Sequence, residues 1–261
     1  MAPTHRWRSV AIPREHGGWG VTLEPVLLGL LVAWSLPGLL LGVAAFGAFL
    51  LRTPLKLAAV DMRRHQWRSR STLAARIAAV ELLVVVTAVA GVVVSSGWRW
   101  ALPVVVAAPL VFVEGWYDVR SRSRRLIPEI AGPVGIGSVA AAIALVGGQT
   151  MKVALGLWLI VALRSIASVV LVRAQLRRAK AQPYREVAVH AVDASVASVA
   201  VLAAAFEVVP WLGAVAIALL TPFGWWSLWR PAVRAVIVGT HQTLLGVLVV
   251  VLTAIGSRAG I

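Results

Sequence analysis

Polar residues divide the chain into nine long apolar runs, at residues 21–35, 38–58, 73–95, 100–116, 130–148, 152–172, 187–208, 211–228 and 232–255. None shows the every-other-residue alternation of a half-buried strand. A bilayer core of about 30 Å takes about 20 apolar residues in a helix, and with no water there to satisfy backbone groups a closed helix suits such continuous runs. The pattern predicts an all-α, polytopic integral membrane protein of nine transmembrane helices, folded as a single domain over residues 1–261. The breaks alternate in character: "SLPG", "SSGWRW", "VGGQTMK" and "EVVP" on one side, arginine-rich segments on the other. None is long enough for a soluble domain.

Composition agrees with the pattern. The chain is 60% hydrophobic and 13% charged, with a mean hydropathy of +0.87, against the roughly half-apolar make-up of a soluble domain. The alternation of breaks puts 22 of the 25 lysines and arginines on one side, leaving Arg99, Lys152 and Arg258 opposite. Lys and Arg are retained on the cytoplasmic side, so the N-terminus is expected inside and the C-terminus outside, in a multi-pass protein of the inner (cytoplasmic) membrane. The same bias accounts for a pI of 11.8 without nucleic acid as a partner. "MAPTHRWRSV" offers no cleavage site after a short apolar core, so no removable signal peptide is read. The chain has no cysteine, which excludes disulfides, thiolate nucleophiles and Cys-ligated metals.

Ionisable residues inside spans are expensive and face a cavity or a partner, so their depth carries information. Glu24 follows soon after the first run begins; Arg52 and Lys56 end the second; Arg76 and Glu81 lie in the third. Arg164 and Arg173 fall in the second half of the sixth, His190 and Asp193 open the seventh, and His241 with Gln242 reaches the middle of the ninth. The outer halves are nearly bare apart from Glu207. This asymmetry suggests a polar cavity open to the cytoplasm, which Glu24 faces unless it snorkels to the interface or pairs locally with Arg14.

Two basic segments have the spacing an anion site needs. In "LRTPLKLAAVD", Arg52 and Lys56 are four apart on one helix face, with Pro54 loosening the backbone between them and Asp61 following. In "LRSIASVVLVRAQLRR", Arg173 and Arg177 are likewise four apart, and Arg164, nine residues before Arg173, is expected on a similar side. Such cation pairs suit a phosphate or diphosphate. The alternatives are a solvated positive loop or structural ion pairs; for an arginine as deep as Arg164, Glu24, Glu81 and Asp193 are the candidate counter-charges. Gly132, Gly135 and Gly137 lie in a span without a preceding strand, so they suit close helix packing and not a dinucleotide loop. The scattered histidines show no ligand spacing, and no cofactor is expected.

Nine helices, an inside N-terminus and basic loops after the second, fourth and sixth spans resemble the UbiA superfamily of intramembrane prenyltransferases. Within it, "PREHGGWG" at the start of the first span resembles the YwiC-like family of bacterial membrane proteins. The superfamily resemblance implies aspartate-rich motifs after the second and sixth helices, holding Mg²⁺ and through it a prenyl diphosphate. Here cations, serine and glutamine stand in those segments and only Asp61 remains nearby. Direct anion binding by Arg52, Lys56, Arg164, Arg173 and Arg177 is the expected replacement. "WYDVRSRSRRLIPE" resembles the superfamily's basic loop before the fifth helix, which implies that Arg122, Arg124 and Arg125 contact a donor diphosphate. Arg14 and His16 are candidate contacts at the start of the first span.

These readings lead to a UbiA-like protein that binds an anionic amphiphile, a polyprenyl diphosphate or a lipid phosphate, in a basic cytoplasm-facing cavity. Metal-independent prenyl transfer is the chemistry considered, with Glu24 or Asp61 orienting or deprotonating an acceptor. The alternatives are a proton-coupled transporter of a small anion, suggested by Glu24, Glu81, His190, Asp193 and His241, and a non-enzymatic membrane assembly subunit.

Overall fold

The computed structural model describes residues 10–11, 16–120, 122 and 124–261. Ten helices are numbered here in chain order: α1 (His16–Val32), α2 (Leu36–Arg63), α3 (Ser69–Ser96), α4 (Ala101–Val119), α5 (Leu126–Val146), α6 (Met151–Ala179), α7 (Glu186–Ala205), α8 (Trp211–Ala218), α9 (Leu220–Trp229) and α10 (Ala235–Ala259). No strand occurs among the described residues. Eight segments are long and apolar enough to cross a membrane, with α8 and α9 together forming one of them; α1 supplies a shorter apolar stretch, Gly18–Val32.

Local chemistry sets the boundaries. Ser35 caps α2, its hydroxyl accepting from the Gly38 amide at 3.0 Å, with Pro37 in the first turn. Thr150 caps α6 in the same way through the Val153 amide at 3.3 Å. Both satisfy an amide that a helix start leaves without a partner. At the other end of α2, Asp61 accepts from the Ser71 hydroxyl at 2.6 Å, and that hydroxyl accepts from the Arg68 amide at 3.1 Å, so one serine ties the end of α2 to the start of α3. The run at 211–228 is one apolar segment but two helices. Pro222 has no N–H to offer the carbonyl four residues back, and the helix is interrupted at Leu219.

Side-chain contacts bring the arginine-rich ends together in two groups: Arg52 and Lys56 at the end of α2 meet Asp118 at the end of α4, while towards the end of α6 Arg173 meets Glu129 at the start of α5 and Arg178 donates to the Leu228 carbonyl at the end of α9. Helix α5 is the central post, packed against α1, α2, α4 and α6. Its contact faces are small residues: Ala140, Ala141 and Ala144 are fully buried against α1 and α6. Gly132, Gly135 and Gly137 are all buried there too, with Gly135 facing Val111 of α4 and Gly137 facing Val161 of α6. They serve helix packing, as small residues do where lipid provides no hydrophobic drive between helices.

Candidate functional site

Helices α1, α5, α6 and α10 enclose a cavity of about 670 Å³. Most of its wall is aliphatic, including Val21, Val169, Val172, Leu176, Val236 and Val238. Leu176 lies near the arginine-rich end of α6, and Arg164 lies 12 residues deeper on the same helix, about 18 Å at 1.5 Å per residue. The cavity therefore runs from the arginine-rich end of the bundle to the middle of the span.

Its polar groups gather at the deep end. Arg164 Nη2 donates to Glu24 Oε1 at 3.1 Å and to the Gln242 carbonyl at 2.6 Å. The Ser168 hydroxyl, one turn from Arg164, donates to Gln242 Oε1 at 2.5 Å. The two charged side chains are 6% and 15% exposed, and Arg164 Nε is buried without a partner in the protein. Helix α10 lets the pair approach because residue 246 is glycine: a Cβ there would collide with the Glu24 carboxylate and come within 2.9 Å of Arg164 Nη2. Of the three candidate counter-charges for Arg164, Glu24 is the one it meets. The floor is thus a neutral ion pair whose buried Arg164 Nε–H has no partner in the protein.

The other cations have partners of their own. Arg52 Nε sits 3.2 Å from Asp118 Oδ2, Arg52 Nη1 2.9 Å from Glu114 Oε1, and Lys56 Nζ 2.7 Å from Asp118 Oδ1. Arg52 and Lys56 are four apart on α2, Glu114 and Asp118 four apart on α4, so two helical turns of cations face two of carboxylates. Arg173 pairs with Glu129 of α5, and donates to the Arg124 carbonyl at 3.0 Å. These pairings bear on the direct anion binding expected of Arg52, Lys56 and Arg173: each of the three charges faces a carboxylate of a neighbouring helix. They also correct the shared side expected for Arg164 and Arg173: nine residues are two and a half turns, which sends Arg164 to α1 and α10 and Arg173 to α5.

Of the remaining candidates, Asp61 braces the α2–α3 connection through Ser71. Arg122, Arg124, Arg125 and Arg177 are exposed. Arg14 and the side chain of His16 lie outside the described residues. Glu114, Asp118, Glu129 and Ser168 carry polar contacts that the sequence reading did not assign. For Glu114 and Asp118 a signal existed, their spacing matching that of Arg52 and Lys56.

A pair of divalent ions, as the superfamily resemblance implies, does not fit this donor set. Cations occupy the end of α2, the carboxylates nearest them are already neutralised by Arg52 and Lys56, and no three His, Asp or Glu side chains among the described residues gather as ligands.

Comparison with known proteins gives two findings. A family model described as YwiC-like protein matches residues 12–144. A solved structure of digeranylgeranylglyceryl phosphate synthase, a UbiA-superfamily prenyltransferase of membranes, superposes with a TM-score of 0.64 at 12% identity, covering 99% of this chain and 100% of its own. At that identity the likeness is one of fold. No curated protein matches the sequence.

Proposed function

The chain belongs to the YwiC-like family, and we propose that it is a UbiA-like inner-membrane protein that takes an anionic amphiphile, a polyprenyl diphosphate or a lipid phosphate, into the cavity between α1, α5, α6 and α10. The observation that carries this reading is the cavity's two-part chemistry. A long aliphatic wall matches an isoprenoid or acyl chain, and a buried floor keeps one Arg164 donor without a partner. Arg177 and Arg234 adjoin the lining residues Leu176 and Ala235, are exposed, and have no ion pair among the described residues. They suit a phosphate at the mouth. The topology that goes with this reading is nine spans, α1 counted among them and α8 with α9 as the eighth, with the N-terminus inside and the C-terminus outside.

If the bound molecule reacts, the chemistry is transfer of the prenyl group. The bond from its first carbon to the diphosphate oxygen breaks, a bond to an acceptor forms, and Glu24 receives the acceptor's proton while Arg164 orients Glu24. The test incubates the purified protein with labelled prenyl diphosphates and candidate acceptors, with and without a chelator. Transfer that survives the chelator and disappears in Glu24→Gln supports the reading. The absence of both transfer and retained amphiphile contradicts it.

A second reading, a proton-coupled carrier of a small anion, is favoured by one observation: Glu81 Oε2 and Asp193 Oδ2 are buried without a hydrogen-bond partner in the protein. Uptake by proteoliposomes that is lost in Glu81→Gln would favour it over amphiphile binding.

A further inference from the structure

Helix α7 carries three ionisable side chains on one stripe, Glu186, His190 and Asp193, spaced four and three residues apart. Exposure falls along the stripe: Glu186 is exposed, His190 half-buried and Asp193 2% exposed. Glu186 Oε1 lies 3.5 Å from His190 Nε2. The other ring nitrogen, Nδ1, is buried without a partner, and so is Asp193 Oδ2.

The surroundings sharpen the problem Asp193 poses. Its Oδ2 rests on Gly224 of α9, where a Cβ would stand 2.6 Å away. The Thr221 hydroxyl reaches only the Asp193 backbone carbonyl, at 3.4 Å. Trp225 covers the His190 ring edge-on with centroids 5.4 Å apart. No Lys or Arg among the described residues lies within ion-pair distance of Asp193. On α6, which packs against α7, Gln175 Oε1 is also buried and unpartnered, and Arg178 donates to the Leu228 carbonyl. From α10 His241 sits against Phe223 and Trp226. Helices α8 and α9 contribute no ionisable side chain. A carboxylate so deep without a counter-charge is among the costliest groups to bury. Neutralisation by a proton removes that cost, and the stripe is a route to it.

We propose that Glu186, His190 and Asp193 form a proton-uptake path from the arginine-rich end of the bundle, ending on the Asp193 carboxylate. Glu186 collects a proton from solvent and passes it to His190 Nε2. Nδ1 and Asp193 Oδ2 share no direct hydrogen bond, so the ring releases the proton it held on Nδ1 to Asp193 Oδ2 by way of a bridging water, and Glu186 returns to its carboxylate. The imidazole is left as its other tautomer and resets by turning over. One proton moves and no electrons do. The path is separate from the cavity beside Arg164 and holds whether or not that cavity takes an amphiphile.

Infrared difference spectroscopy after a pH jump, on the full chain in lipid nanodiscs, tests this. On acidification a carbonyl band of protonated aspartic acid grows, shifts when aspartate is labelled with carbon-13, and is absent in Asp193→Asn. The labelled wild-type chain reports without depending on the folding of any variant. In His190→Gln the band reaches its full size but grows on the order of a hundredfold more slowly, the scale expected for losing a positioned proton-transfer group. A missing labelled band, a band that survives in Asp193→Asn, or an unchanged rate in His190→Gln would each overturn the proposal.

Discussion

Arg164 of α6 and Glu24 of α1, 140 residues apart in sequence, meet at 3.1 Å at the deep end of the cavity. Arg164 is buried, Glu24 is mostly so, and each neutralises the other, so removing either one leaves a charge stranded. Breaking such a pair costs about 3–5 kcal/mol, whereas removing both halves together costs less. Arg164→Leu and Glu24→Leu should each lower the unfolding midpoint in detergent by more than the double variant does. Additive losses in the double-mutant cycle would show that the pair is not coupled.

Gly246 is predicted to be the least replaceable glycine of α10. Alanine there drives a methyl into the Glu24 carboxylate, while at Gly239, on the same helix, an added methyl meets nothing within 4 Å. Overpacking of this kind costs about 1–3 kcal/mol. Thermal unfolding of Gly246→Ala and Gly239→Ala should therefore separate clearly, with the second close to wild type. Equal midpoints would mean that the approach of α10 to the pair is looser than described.

The α2–α4 cluster gives a prediction of different size. Arg52 and Lys56 are 33% and 45% exposed against 10% for Asp118, so water and salt screen their attraction. Asp118→Asn should cost only about 1–2 kcal/mol, and less at high salt. The exchanged pair Lys56→Asp with Asp118→Lys should recover more than half of what Lys56→Asp alone loses. Thermal shifts across a salt series check both statements.

The fold was legible because continuous apolar sequence admits few spanning solutions, and the helices extend those runs by polar turns that an apolar count cannot see. Helix α2 continues from the apolar run at 38–58 to Arg63, and α3 begins at Ser69, before the run at 73–95. The break at Leu219 was hidden, since Pro222 sits in an unbroken apolar stretch. At the site, Arg164 announced its need for an acid by its depth, but three carboxylates qualified and sequence holds no distances across 140 residues. Glu114 and Asp118 were missed because Glu114 lies inside an apolar run and Asp118 just beyond its end, where neither interrupts the pattern enough to demand a partner. The spacing of Arg164 and Arg173, two and a half turns, sets them on opposite sides of α6, which a count of charged residues per run does not register.

Topology offers a check independent of the site. With nine spans, a periplasmic reporter enzyme fused after Ile261 should be active and a cytoplasm-dependent fluorescent reporter dark there. The same pair fused in the α6–α7 connection should give the opposite result. Matching signals at the two positions would remove a span from the count.

The most direct test of amphiphile binding is native mass spectrometry of the protein released from mild detergent. The wild type should retain an anionic isoprenoid or lipid phosphate, and Val169→Trp, which fills the aliphatic wall without touching Glu24 or Arg164, should emerge without it. A wild-type chain that carries no such adduct, or a Val169→Trp variant that carries the same one in equal amount, would contradict the assignment of this cavity.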